Sequence, residues 1–193
     1  MHASVLRWVS ETLTQSAVDG RRVLDVGSYD VNGSVRPLVE ARHPAVYVGV
    51  DQTDGPGVDL VVSCADLVST FGRATFDVVI STEMMEHVVD WRPCMAQMCD
   101  VLKPGGMLLV TTRSPGFPYH PFPIDTWRYT PDVMRRVVEA AGLVPWQLIP
   151  DPDPVSPGVF VRALKPLRWR APWADVGVVD VFAGIEAQPV VAP

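Results

Sequence analysis

An α/β fold on a doubly wound, mostly parallel sheet is what this chain predicts, and three observations predict it. Short apolar runs alternate with segments of helical periodicity through residue 142, the pattern of strands joined by crossover helices. Two of the runs, Val23-Leu24-Asp25-Val26-Gly27-Ser28 and Tyr47-Val48-Gly49-Val50-Asp51, end in an acid or a glycine turn and lie one β-α-β unit apart. The last two runs flank Pro150-Asp151-Pro152-Asp153-Pro154, a stretch no strand can cross, so they should close as a C-terminal antiparallel hairpin. A length of 193 residues with 48% hydrophobic content suits one domain with a sizeable core.

Taken in order, Val5, Leu6, Val9 and Leu13 recur at helical spacing, predicting a helix over 4–17 that leans on the sheet and floors a substrate pocket. Strands follow at 22–27, 46–51, 58–63, 76–81 and 106–112, with a helix at 33–43 whose Val35, Leu38 and Val39 form one stripe. Asp90 is placed to cap the next helix. Its Met95, Met98, Cys99 and Leu102 make a buried face before Pro104-Gly105-Gly106 ends it, so the methionines read as core. Thr130 and Pro131 open a further helix, with Met134, Val137, Val138 and Ala141 as its stripe and Gly142 as its stop. Strands at 144–149 and 159–164 complete a seven-stranded sheet. Residues 1–165 form the domain; 166–193, with four prolines and no helical stripe, read as a poorly ordered or partner-dependent tail.

Charge and cysteines narrow the class. A net charge of −6 argues against a surface that neutralises nucleic-acid phosphates. Arg162, Lys165, Arg168 and Arg170 with Trp169 and Trp173 form either a small nucleic-acid or lipid contact or, in better accord with the overall acidity, a solvated edge. Cys64, Cys94 and Cys99 lack paired spacing and read as free thiols of a reducing compartment. No apolar run approaches membrane-spanning length. The expectation is a cytoplasmic protein with a small-molecule partner, no nucleic acid and no membrane, its oligomeric state left open with a homodimer included.

The first turn selects the cofactor. A dinucleotide turn needs G-x-G-x-x-G, but Gly27-Ser28-Tyr29-Asp30-Val31-Asn32-Gly33 puts Tyr29 at the second glycine and an acid beside it. Both are poor neighbours for a pyrophosphate, which disfavours NAD. A cofactor without phosphates, carrying an amino group and a sulfonium, tolerates them, and S-adenosylmethionine fits. The plainer alternative makes Gly27 an ordinary strand-to-helix turn and Asp51 a surface cap.

Three more segments resemble class I S-adenosylmethionine-dependent methyltransferases. Phe76-Asp77-Val78-Val79-Ile80-Ser81-Thr82-Glu83-Met84-Met85-Glu86-His87-Val88 is similar to the family's fourth-strand motif, and Leu102-Lys103-Pro104-Gly105-Gly106-Met107-Leu108-Leu109-Val110 to the turn and fifth strand after it. Cys64-Ala65-Asp66-Leu67 stands where the family keeps an adenine-contacting acid. The nearest subgroup resembles the type 11, ubiquinone and menaquinone methylase-like members. The resemblance implies a Rossmann-like sheet in which Gly27 and Ser28 pass the methionine part of the cofactor and Asp25 meets its ammonium. It also implies that Asp51 and Gln52 take the ribose hydroxyls, Asp66 and Leu67 the adenine, and Ser81 the rim.

His87 directly follows the fourth strand. An imidazole is the natural proton acceptor near neutrality, and the alternative is a histidine that orients the loop. The segment Ser114 to Tyr129 falls where the family places its acceptor lid, and its His120, Asp125 and Arg128 among aromatics and prolines suit a flat, hydroxylated or anionic molecule. Trp127 and Tyr129 as plugs, with Asp125–Arg128 as a structural pair, is the competing reading. Its pattern resembles members found with sugar and cell-envelope biosynthesis. No N-P-P-Y or D-P-P-Y run follows the fourth strand, no cysteine lies in a nucleophile motif, and no H-x-x-x-H or carboxylate cluster marks a metal. The expected reaction is methyl transfer to an oxygen of a small hydroxylated metabolite, with N-methylation of an amine or non-catalytic cofactor binding as alternatives.

Overall fold

The computed structural model describes residues 1–192. Its main sheet has seven strands: β1 (Arg22–Val26), β2 (Val46–Asp51), β3 (Leu60–Val61), β4 (Phe76–Thr82), β5 (Leu102–Arg113), β7 (Val144–Pro150) and β8 (Gly158–Leu164). They lie in the order β3-β2-β1-β4-β5-β8-β7. The first five are parallel, and β8 runs antiparallel to both β5 and β7. The expected doubly wound sheet and its closing hairpin are therefore both present. The order in which successive strands are laid down reverses between parallel β1 and β4, and the crevice at the carboxyl ends of such a pair is where open α/β sheets bind ligands.

Alternation along the strands feeds two cores. Val23, Val78, Ile80, Met107 and Leu109 face α1 (Ala3–Thr12), α2 (Gln15–Val18) and α3 (Arg36–Glu40). Leu24, Val26, Val79, Leu108 and Val110 face α4 (Leu67–Phe71), α5 (Trp91–Val101) and α6 (Pro131–Ala140). The α6 cap forms as expected: the Val133 amide donates to Thr130 Oγ1 at 3.2 Å, with Pro131 in the first turn. Asp90 precedes α5 in the cap position, but its side chain makes no capping bond.

Several elements depart from the periodicity. The expected helix at 4–17 breaks after Thr12, because Leu13 leaves helical geometry at ψ 76 and buries itself completely. Its stripe packs on the sheet, and it is Met1 and His2, ahead of the helix, that reach the main cavity. The helix expected at 33–43 contracts to α3, and β3 is only two exposed residues.

The segment 166–192, expected as a loose or partner-dependent tail, packs against α5 and α6. Trp169 Nε1 donates to Ala141 O at 3.0 Å, and Phe182 stacks edge-on to Trp91 at 5.0 Å between centroids. Phe182, Ile185 and Ala187 are buried around α7 (Val178–Val181). Two-residue β9 (Gln188–Pro189) then pairs antiparallel with β6 (Trp127–Arg128). Of the four basic residues read as a solvated edge, Arg168 is exposed, and the other three have partners in the chain. Lys165 Nζ donates to Cys99 O and Leu102 O at 2.6 and 2.5 Å, Arg162 lies over Trp146, and Arg170 pairs with Asp175. Aromatic burial here outweighs the local proline content, which a stripe-based reading cannot register.

Candidate active site

The main cavity, about 680 Å³, opens at the carboxyl ends of β1, β2 and β4, within the size range of small-molecule sites. Its cofactor-facing wall is built from strand ends. Gly27 leaves β1 at φ 82, and a Cβ placed there would lie 2.8 Å from the Met84 side chain. Only glycine allows that turn and that approach together. The amides of Gly27 and Ser28 both donate to Val50 O, at 2.8 and 3.0 Å, which locks the turn onto β2.

Asp25 is buried on this wall. Tyr47 donates its hydroxyl to Asp25 Oδ2 at 2.5 Å, while Oδ1 and the Ser28 hydroxyl have no partner among the described residues. Burial pushes the Asp25 carboxyl up to about 6, against the opposing hydrogen bond from Tyr47 and the charge of Arg36. Asp51, the last residue of β2, and Gln52 just beyond it line the cavity, with Asp51 Oδ1 accepting from the Thr53 amide at 2.9 Å.

The opposite wall draws on distant segments. β4 exits through Glu83, at φ 56, into a single 3₁₀ turn, Met85–His87. A non-glycine residue in the left-handed region is held there by its surroundings. Glu83 accepts from Thr111 Oγ1 at 3.0 Å and from the fully buried Arg113, which in turn reaches Asp151 and Ser156 O at 3.2 and 3.0 Å. The exit of β4 is thereby tied to the β7–β8 hairpin.

His87 and His120 line this wall together with Phe122, Pro123 and Ile124. Their rings meet edge-on with centroids 4.9 Å apart. His87 Nδ1 is hydrogen bonded to Ile124 O, and because a carbonyl only accepts, the nitrogen carries the proton. His120 Nδ1 lies 3.0 Å from Asp125 Oδ2. Burial lowers the pKa of His120 against the pull of Asp125. Behind the two rings sits Glu86, whose carboxyl is pushed up by complete burial and whose Oε2 accepts from Thr112 Oγ1 at 2.7 Å.

Against the sequence expectations, Asp25, Gly27, Ser28, Asp51, Gln52, His87 and His120 come together on one cavity. Asp66, Leu67, Ser81 and Asp125 do not line it. Leu67 is wholly buried as the first residue of α4, which turns exposed Asp66 outward; Val62, Ser63, Cys64 and Ala65 form the wall instead. Ser81 is buried behind Met84. Asp125 is fixed by Arg128 at 2.5 and 2.7 Å and by the His120 amide at 2.8 Å. Burial opposes its charge, but these hydrogen bonds prevail and hold its carboxyl at about 2. Both of its oxygens are thus occupied, and through the His120 contacts it orients that ring. Glu86, buried against both rings, is a neighbour that the sequence reading did not single out; its signal was adjacency to His87.

Residues 1–148 match the family model described as a methyltransferase domain. The chain belongs to that family. Its cofactor is S-adenosylmethionine, and the residues present fit it: a glycine turn that no side chain could fill, an acid closing β2, and a buried carboxylate oxygen and hydroxyl left unpaired beside them. Asp51 would hold the ribose and Asp25 and Gly27 the methionine part, and the cofactor supplies an electrophilic methyl on sulfur.

Among relatives, this methyltransferase-family chain is 30% identical over 112 residues to a ubiquinone biosynthesis O-methyltransferase of Shewanella sp. (strain ANA-3), covering 51% of this chain and 46% of that protein. It is 31% identical over 154 residues to one of Dinoroseobacter shibae, covering 65% and 61%. The chain thus spans about half the length of the curated relatives it matches. Among solved structures, the Burkholderia thailandensis 1,6-didemethyltoxoflavin-N1-methyltransferase, with its acceptor and S-adenosylhomocysteine bound, superposes with a TM-score of 0.67 at 17% identity, over 85% of this chain and 79% of that one. The [4+2]-cyclase SpnF gives 0.66 at 17% identity, over 86% and 81%. At such identities the likeness is one of fold alone. No helix among the described residues is long and apolar enough to cross a membrane.

Proposed function

We propose that this protein transfers a methyl group from S-adenosylmethionine to an oxygen of a small, hydroxylated acceptor. One observation carries the reading: the glycine turn and acid of the cofactor wall face, across a single cavity, two imidazoles whose Nδ1 atoms are already committed. Methyl transfer from sulfonium is an in-line displacement, so most of the acceleration comes from holding the acceptor oxygen at near-attack distance. A hydroxyl must also lose its proton, and the His87–His120 face is where that loss would be assisted. The O-methyltransferase relatives support the choice of oxygen.

Purified protein should bind S-adenosylmethionine and S-adenosylhomocysteine in calorimetry and show no comparable affinity for NAD. With phenolic and sugar-like hydroxyl acceptors it should release S-adenosylhomocysteine. Turnover of amines alone would move the reaction to nitrogen, and tight cofactor binding with no turnover of any acceptor would make the chain a binding module.

A further inference from the structure

The two histidines and Glu86 present an unusual problem in hydrogen bonding. His87 Nδ1 donates to Ile124 O, and His120 Nδ1 donates to Asp125, an ionised carboxylate that Arg128 and the His120 amide also hold. Each neutral ring therefore offers a lone pair at Nε2. Both Nε2 atoms approach Glu86 Oε1, at 4.0 Å from His87 and 3.9 Å from His120. That oxygen is completely buried and has no hydrogen-bond partner among the described residues, while its sister Oε2 is satisfied by Thr112. Three groups able to offer lone pairs, two ring nitrogens and a carboxyl oxygen, thus approach one another without a hydrogen bond between them.

A shared proton does not resolve this, because 3.9–4.0 Å is beyond hydrogen-bond reach. A cation lying between the three groups does. We propose that Glu86, His87 and His120 form a binding site for a divalent first-row transition ion at the acceptor end of the cavity. The three ligand atoms lie within 4.8 Å of one another. Bonds of about 2.0–2.2 Å to imidazole and carboxylate require ligand atoms roughly 3–3.5 Å apart, so the 3.9–4.0 Å contacts must close by about 0.5–1 Å, and any pair at the 4.8 Å limit by somewhat more than 1 Å, to complete the site. Two imidazoles and one carboxylate suit Zn²⁺, Mn²⁺ or Fe²⁺ better than Mg²⁺ or Ca²⁺, which prefer all-oxygen shells. Ile124 O and Asp125 fix the tautomers and orient the rings, as outer partners of metal-bound histidines do. Because His87 and His120 line the cavity and Glu86 lies behind them, the remaining coordination positions face the acceptor.

The inference rests on the proposed oxygen methylation and specifies how that site activates a hydroxyl. The acceptor hydroxyl would coordinate the ion and release its proton to solvent. Its oxygen then forms the bond to the methyl carbon as the carbon–sulfur bond breaks, the electron pair passing to sulfur and neutralising the sulfonium. No oxidant or reductant is needed. An imidazole whose Nε2 lone pair is given to the ion cannot also act as the free base, so the two forms of activation exclude each other.

The test is calorimetry with ZnCl₂ and MnCl₂ on the 193-residue chain stripped with chelator and desalted. One ion per chain should bind at micromolar dissociation constant or tighter. Glu86→Gln, which keeps the Thr112 contact, and His120→Ala should each weaken binding at least tenfold, and Asp125→Asn by about 10–100-fold. His43→Gln, at an exposed histidine on the β1–β2 connection, should change nothing. Visible absorption of the Co²⁺-loaded protein, with thermal unfolding of each variant as a folding control, reports the same coordination independently of activity. Wild-type binding no tighter than that of the His87→Ala, His120→Ala double variant overturns the site, as does undiminished binding in folded Glu86→Gln. If methyl transfer to a hydroxyl persists in chelator and still requires His87, the metal falls and the oxygen methylation stands. If the ion binds as expected and S-adenosylmethionine does not, the site stands and the methylation falls.

Discussion

At the cofactor end of the cavity the residues sit at or just past the tips of β1 and β2, whereas the acceptor end gathers its groups from the exit of β4, the proline-rich loop and the segment before α1. The first wall is local: Asp25, Gly27 and Ser28 are one turn, and Asp51 and Gln52 the next turn of the same β-α-β unit. The second is assembled, with Glu86 and His87 meeting His120 only because β5 and its following loop fold back over β4. The electrostatics differ in kind as well. Asp25 bears a desolvation that Tyr47 and Arg36 offset only in part, while Asp125 is held by Arg128 and His120. A local wall suits a cofactor common to a whole fold, and an assembled wall can change with the acceptor.

If the two walls are separable, damage to one should leave the other working. The largest effect is expected for the His87→Ala, His120→Ala double variant, which should lower turnover by about 10²–10⁴ while S-adenosylmethionine affinity in calorimetry stays near wild type. Wild-type turnover in that variant would take the histidines out of the reaction and favour nitrogen as the acceptor atom, since a neutral amine attacks first and loses its proton afterwards.

Asp51→Ala tests the other wall. Loss of charged hydrogen bonds to the ribose should weaken S-adenosylmethionine and S-adenosylhomocysteine equally, by roughly 1.5–3 kcal/mol, with little change in turnover at saturating cofactor. Unchanged affinity would remove Asp51 from the site.

Asp25 sharpens the comparison through pH. Its folded-state pKa of about 6 exceeds the ordinary carboxylate value, so the folded protein holds this proton more tightly than the unfolded chain. Stability from this group is therefore greatest at low pH, declines as pH rises toward 6 and is flat above. Asp25→Asn, compared with wild type by urea unfolding, should gain about 2 kcal/mol between pH 4.5 and 7.5. A pH-independent difference would mean that Asp25 is not desolvated in this way. The smallest effect is expected at Asp66, which α4 turns away from the cavity. Asp66→Ala should leave cofactor affinity within about 0.5 kcal/mol of wild type, and a tenfold loss would return it to the adenine.

The sheet was legible because alternation and turn chemistry are written in consecutive residues: Val23-Leu24 and Val78-Val79 each feed both faces, Gly27 requires positive φ, and Thr130-Pro131 cap and open α6 within four positions. The same local rules fail where burial decides. Leu13 ends α1 by entering the core, Leu67 draws α4 inward and turns Asp66 out, and Phe182 and Ile185 anchor a proline-rich segment that carries no stripe.

By itself the sequence determined the strand order of chemistry: a glycine turn, an acid one unit later, and a histidine after the fourth strand. These need only backbone geometry and side-chain type at adjacent positions. Tertiary structure alone decided that His120 meets His87, that Asp125 is bound to Arg128 and acts by orienting a ring, and that Glu86 lies buried behind both histidines with one oxygen unpaired. Those relations join residues whose separation along the chain carries no period. They arise when β4 and β5 pair and the loop beyond β5 closes over their ends, so no pattern of neighbours could encode them.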